Sequence, residues 1–550
     1  MSPAGPAADT VFVGGPVWTG DAARSRARGL AVRGGRVVAV GGEEVRELVG
    51  PATEVVDLGG RLLVPGFQDA HVHPLWAGLE MQTCSLAGLD TAQQYVERVA
   101  AYAAEHPERP WIVGGGWSLS AFPGGVPHHE ALDAVVSDRP VYLQASDGHL
   151  AWASSRALEL AGIDARTPDP AGGRIERDAD GVPTGALHEQ AMALVGDLAP
   201  PTTAEQRRTG LLLAQAHLHG LGITAWQDAI VGSYAGWPDP LETYVEAARD
   251  GTLTARVRGA LWWDRTRGLE QVEELAQRRV SVGRFTTGTV KVMQDGVPEN
   301  FTAAMSTPYL DVCGCTGDRR GLSMVDPALL TEAVVRLTGL GFAMHFHAIG
   351  DRALTEVLDA VEASLLAHGD RGLRHCVAHL QVVRPPDVDR FRRLGVTANL
   401  QPLWAAHEPQ MDELCVPFLG PERTAWQYPF GDLLRSGASL AGGSDWPVSS
   451  ADPMAGISVA VNRRLPDAPE GTPVFLPEQR VDLGTMLAAY TSGSAHVNGL
   501  DDTGALRVGA LADLAVLDRD PFDGPPEDIW RTRAVSTFVE GQRVHPSPEV

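Results

Sequence analysis

Through the middle of the chain, short apolar runs that end in polar residues alternate with stretches whose apolar positions recur at helical spacing. Eight such runs can be read: a first one that residues 62–67 lead into, then 222–228, 258–264, 289–293, 342–347, 376–381, 396–401 and 439–445. Helical patterns fall between them, for example at 327–338 and 353–367. Eight alternating β and α units predict an α/β fold, a (β/α)8 TIM barrel, whose chemistry lies at the C-terminal ends of the strands.

The two ends of the chain have another texture. From about Thr10 to Val64 the runs are short, β-rich and broken by Gly-Gly pairs, with no strong helical period. Residues 512–518 alternate, and residues 535–544 read as a hairpin turning at Glu540-Gly541. A few isolated strands cannot hold themselves together. The ends are therefore expected to meet in one composite β-sandwich, built from residues 1–64 and 496–550, with the barrel at 65–495. One stretch breaks the barrel's alternation. Between His73 and Gly222 the chain is rich in Gly, Pro and Trp, and an insertion around 76–215 is expected there, as a lid or pocket wall.

Composition narrows the functional classes. The 550 residues are 44% hydrophobic and 21% charged, which suits a large core rather than a disordered chain. A net charge of -24, with no basic stripe, argues against nucleic acid and against anionic membrane surfaces. No apolar run approaches the ~18–20 residues that span a bilayer. The start, Met1 to Pro6, lacks the pattern of a secretory signal. Five cysteines, few and odd in number, do not suggest a disulfide framework, so a cytoplasmic location is expected. Cys313-Gly314-Cys315 has no second cysteine pair nearby and reads as a loop. The expected partner is a small-molecule substrate, and a homodimer is allowed.

Candidate chemistry gathers at the ends of the strand-like runs. His71 and His73 close the first one, and residues two apart on a strand face the same way, so both imidazoles can address one metal ion. In His345-Phe346-His347 either histidine can point inward, and His347 lies nearer the strand end. His379 ends Val377-Ala378-His379 in the sixth run. Asp445, after Gly443-Ser444, reads either as a turn or cap residue or as a carboxylate beside a metal that takes a proton from bound water. Lys291 sits in an apolar strand, where a cation beside metal ions makes sense if its amine has reacted with carbon dioxide to form a carbamate. Otherwise it snorkels to solvent or pairs with Asp295. Trp76, Trp117, Trp152, Trp404 and Trp446 flank these segments and suggest an aromatic pocket, with His149 in its wall. Arg352 follows Asp351 and reads as a helix-start residue.

The set Gly66-Phe67-Gln68-Asp69-Ala70-His71-Val72-His73, Lys291, His347, His379 and Asp445 resembles the amidohydrolase superfamily of metal-dependent hydrolases. Gly114-Gly115-Gly116-Trp117, Asp147-Gly148-His149, residues 347–353, His379-Leu380-Gln381, residues 443–448 and residues 512–517 look like its amidohydrolase-3 branch, which contains N-substituted formamide deformylase. The resemblance runs from about residue 10 to 545. It implies a barrel flanked by a composite β-sandwich and one or two ions, usually zinc (Zn2+). His71, His73 and Asp445 would hold the more buried ion, and His347 and His379 the second. Lys291 would bridge as N6-carboxylysine. The implied reaction is hydrolysis of a C–N bond in an amide, N-acyl or N-formyl compound, with Asp445 as general base and His379 also able to polarise the carbonyl. Deamination or ester or lactone cleavage is the alternative on the same site.

Overall fold

The computed structural model describes residues 7–545 except Ala235 and Val312. The Met1–Pro6 stretch and residues 546–550, the outer ends of the expected sandwich segments, lie outside the described residues.

The expected barrel is present. Its strands are β1 (Phe67–Val72), β2 (Ile223–Val231), β3 (Arg256–Trp262), β4 (Phe285–Met293), β5 (Ala343–Ala348), β6 (Cys376–His379), β7 (Thr397–Leu400) and β8 (Leu440–Gly442). They pair in parallel and in chain order from β1 to β8. β1, β5, β6 and β7 are buried along their whole length, as strands covered on both faces must be. Past β8 the chain returns to β1. The Asp445 amide donates to the His71 carbonyl at 2.7 Å, and the His73 amide donates to the Trp446 carbonyl at 2.9 Å. These bonds nearly close the barrel, and they do so at its C-terminal rim.

Local sequence explains why the rim is so tight. Pro74 stands at the first position of the helix Pro74–Glu80, where its missing N–H costs nothing, so the strand stops and His73 is left on the edge. Gly443 is required by close approach: a Cβ there would lie 2.6 Å from Asn399 Oδ1 and 2.8 Å from the His71 Cβ.

The terminal segments pair with each other. Leu62–Pro65 runs antiparallel to Leu514–Leu517, which pairs with Ala534–Val539, and that strand pairs with Gln542–His545 around Glu540-Gly541. A four-stranded sheet of N-terminal strands packs nearby through a core containing Phe12, Leu30, Leu514 and Phe538. Between β1 and β2 lies a six-stranded sheet, from Cys84–Ser85 to Pro183–Glu189 in the chain, with its own core built on Tyr95, Trp117, Phe122 and Trp152. No helix among the described residues is long and apolar enough to cross a membrane.

Candidate metal centre

Three groups from different strands converge at the rim. Ligand atoms of His71, His379 and Asp445 all lie within 4.8 Å of one another, and all three residues are buried. Asp445 Oδ1 is 3.1 Å from His71 Nε2 and 3.0 Å from His73 Nε2. Yet that oxygen has no partner with hydrogen-bond geometry, and His379 Nδ1 is likewise buried without one. Nitrogen and oxygen atoms crowded together but not bonded to each other suit a shared cation better than a hydrogen-bond network. His347 flanks the group, its ring centroid 4.4 Å from that of His379. The backbone is strained where it delivers two of these residues: φ is +83° at His379 and +58° at Asp445, a region non-glycine residues enter at a cost.

A second layer decides which nitrogen each imidazole presents. His71 Nδ1 is bonded to His345 Nε2 at 2.8 Å, and His345 Nδ1 is held by Gln227 Oε1, so His71 Nε2 is the atom left for the centre. His347 Nδ1 meets Asp295 Oδ1 at 3.2 Å. Asp295 is in turn fixed by the amides of Ile349, Gly350 and Ala304 at 3.0, 2.8 and 2.9 Å. Gln401 accepts from the His379 amide at 2.6 Å and donates to Asn399, whose Nδ2 donates to the Ala70 carbonyl at 2.8 Å. Asp69 takes the amides of His71 at 2.9 Å and Ser444 at 3.1 Å, tying the first and last strands together.

Electrostatics favour ligand protonation states. Burial holds the imidazoles of His71, His347 and His379 well below the ordinary histidine range, so they are neutral. Burial alone would raise the Asp445 carboxyl. The contact with His73 and the nearby Lys291 amine outweigh it and hold the group below its usual value. Lys291 is 1% exposed and its amine has no hydrogen bond or ion pair among the described residues, and Asp295 is taken up elsewhere. Burial brings its amine down to about 8, against the opposing pull of Asp445. Neutral imidazoles, an ionised carboxylate and a partly neutral amine fit a divalent metal site of nitrogen and oxygen donors.

A family model described as the amidohydrolase family matches residues 54–545. The chain belongs to the amidohydrolase family. This amidohydrolase is 31% identical over 555 residues to Protein LONG AFTER FAR-RED 3 of Arabidopsis thaliana, covering 99% of this chain and 93% of that protein. It is 28% identical over 557 residues to N-substituted formamide deformylase of Arthrobacter pascens, covering 97% of each. Among solved structures it is similar to an uncharacterized metal-dependent hydrolase from Pyrococcus horikoshii, with 27% identity, a TM-score of 0.73 and coverage of 94% of this chain and 99% of that one. As an amidohydrolase the chain is a metal-dependent hydrolytic enzyme of the class acting on carbon–nitrogen bonds other than peptide bonds.

The amidohydrolase centre opens into a cavity of ≈ 300 Å³ between the barrel rim and the inserted sheet. His71, His73, Lys291, His347, His379 and Asp445 all line it. So do Trp76, His149 and Trp404, with Trp404 stacked on His379 at 5.2 Å between ring centroids. Three pocket expectations are corrected. Trp117 is fully buried in the inserted sheet's own core, with Nε1 donating to the Leu143 carbonyl at 3.0 Å. Trp446 lies outside the cavity and stacks on His217 at 4.8 Å, because the left-handed turn at Asp445 sends the next side chain away. Trp152 shares the core of Trp117. Sequence reading assigned no role to Asp69, Gln227, Asn399, Gln401, Glu189, Glu299 or Glu408. Asp69 carries a readable signal, since it sits two positions before His71 on the same face. Burial pushes the carboxyls of Glu299 and Glu408, both in the cavity wall, up to about 7. Their positions in loops left no periodic trace.

Proposed function

We propose that this amidohydrolase hydrolyses the C–N bond of an amide, N-acyl or N-formyl small molecule, with Asp445 as general base. The observation that carries the reading is Asp445 Oδ1, buried, ionised and 3.0–3.1 Å from two imidazole nitrogens without a hydrogen bond. His71, His73, His379 and Asp445 would hold zinc, with His347 and Lys291 beside them for a second ion. Such an ion, when bound, polarises a carbonyl and makes water acidic near neutral pH. The side chains do the rest. Asp445 takes a proton from the attacking water at a carboxylate oxygen and later gives it to the departing nitrogen, so the carboxylate ends each cycle as it began. Trp404 and Trp76 give an apolar, aromatic wall for the substrate's substituent. The similarity to N-substituted formamide deformylase supports an N-formyl or small N-acyl group.

Lys291 fits the reading as a carbamate. A neutral amine adds to carbon dioxide, forming an N–C bond and releasing one proton. The product is N6-carboxylysine, an anion with two oxygens in place of a cation. Full burial without an anionic partner, and an amine at about 8, support that conversion. The cysteines (Cys84, Cys313, Cys315, Cys376 and Cys415) are free thiols, which supports work in the cytoplasm.

The test is a panel of N-formyl and N-acyl amines assayed alongside elemental analysis. Asp445→Asn is expected to keep its metal and lose turnover by ~10²–10⁴. Full turnover in that variant, or activity confined to cyclic amidines or esters, would sink the proposal.

A further inference from the structure

The Asp147-Gly148-His149 turn belongs to the inserted sheet, yet it reaches the cavity. Its shape is specified locally. Asp147 Oδ1 accepts from the His149 amide at 2.9 Å. Gly148 has φ +71°, and a Cβ there would lie 2.7 Å from Trp76 Cη2, so no other residue fits between the turn and that ring. Everything around His149 then fixes one edge of its imidazole. Nδ1 lies 2.9 Å from Glu189 Oε1. Glu189 is 2% exposed and held at φ +52°. It also accepts from Thr302 Oγ1 at 3.0 Å and faces Arg265 across 3.6 Å. The main chain adds to this: the Glu189 amide donates to the His149 carbonyl at 3.1 Å, and Asn300 Nδ2 reaches the same oxygen at 3.4 Å.

Burying a carboxylate is costly unless it is paired. A carboxylate on Nδ1 stabilises a positive imidazole and aims the opposite nitrogen, as an acid partner does in hydrolase triads. That opposite atom, Nε2, has no partner among the described residues, and the ring lies 5.6 Å from His347 between centroids. Packing alone would not require so elaborate a support for a ring whose free edge meets an open cavity.

We propose that His149 is a catalytic residue whose Nε2–H donates a hydrogen bond to the substrate's carbonyl oxygen as that oxygen gains negative charge, with Glu189 as its positioning residue. The inference rests on the reading that the reacting group is a carbonyl. No proton changes hands in this step. The donor is already in place when charge develops, which is what makes such bonds effective. The insertion is then part of the catalyst, since the barrel supplies the metal ligands and the inserted sheet supplies the opposing donor.

The experiment uses the zinc-loaded full chain, with zinc per chain measured for the wild type, His149→Ala, His149→Gln and Glu189→Gln. Acetohydroxamate, a carbonyl-type anion, is titrated by calorimetry, and kcat and KM are measured on the N-formyl and N-acyl panel. All variants are expected to hold wild-type zinc. His149→Ala should bind acetohydroxamate about tenfold more weakly and lose kcat by ~10²–10³ with little change in KM. His149→Gln, which keeps a donor and guards against a folding defect, should recover part of both, and Glu189→Gln should fall between. Wild-type probe binding and kcat within about twofold in His149→Ala would overturn the inference. So would loss of zinc from both His149 variants, or a wild type that does not bind the probe. If the wild type cleaves no panel compound while the tenfold binding loss persists, His149 keeps its role and the amide reading falls.

Discussion

The two walls of the cavity are built differently. On the barrel side, His71, His347 and His379 lie at or near strand ends, each held by a buried polar partner: His345, Asp295 and, through its amide, Gln401. On the inserted side, the sheet turns most of its aromatic bulk inward to a separate core, and a short turn carrying His149 reaches across. One wall is the set of proposed metal ligands with a supporting layer. The other is an independently packed unit that presents a few groups at its edge. Chemistry and stability are therefore carried by different residues, even where those residues look alike in the chain.

That division can be broken or sharpened by substitution. The largest effect is expected at His71. His71→Ala removes a proposed ligand and leaves His345 Nε2 without its partner, so it should abolish metal retention, read by elemental analysis after dialysis. Next comes Trp117→Ala, which empties a fully buried site and should cost about 3–5 kcal/mol in denaturant unfolding while leaving metal content unchanged. Loss of metal in that variant would mean that the walls are not independent. The smallest is Asp295→Asn, which weakens the support of His347 and should reduce metal affinity by about 10–100-fold, seen in competition with a chelating dye. Unchanged affinity would show that His347 is held without its outer partner.

Much of the barrel wall was legible in the chain because a buried parallel strand leaves a plain signal: an apolar run whose last polar residue must face the rim. His71, His73, His347, His379 and Asp445 were accessible from their places near run ends, Lys291 as a cation inside an apolar strand, and all line the cavity. The rule is silent on depth. His345 and His347 share a face, but His345 lies a layer deeper and serves His71 instead of facing the cavity. It is also silent on partners distant in the chain, such as Gln227, Asn399 and Gln401, which meet their histidines through strand order. In the insertion no period distinguishes inside from outside. Trp117 and His149 each sit in a recognisable motif there, yet one is core and the other lines the cavity. The difference comes from how the sheet docks, which no local pattern encodes.

The join between first and last strands has a consequence for assembly. Asp69 grips the Ser444 amide, and the Asp445 and His73 amides reach across the same seam. The centre thus draws on opposite ends of the barrel segment and does not exist until the circle shuts. A chain still emerging from synthesis, or one cut before residue 445, has the histidines but not the complete cluster. A cation held there would bind only the shut form, so its capture would be coupled to folding and its removal would loosen the seam.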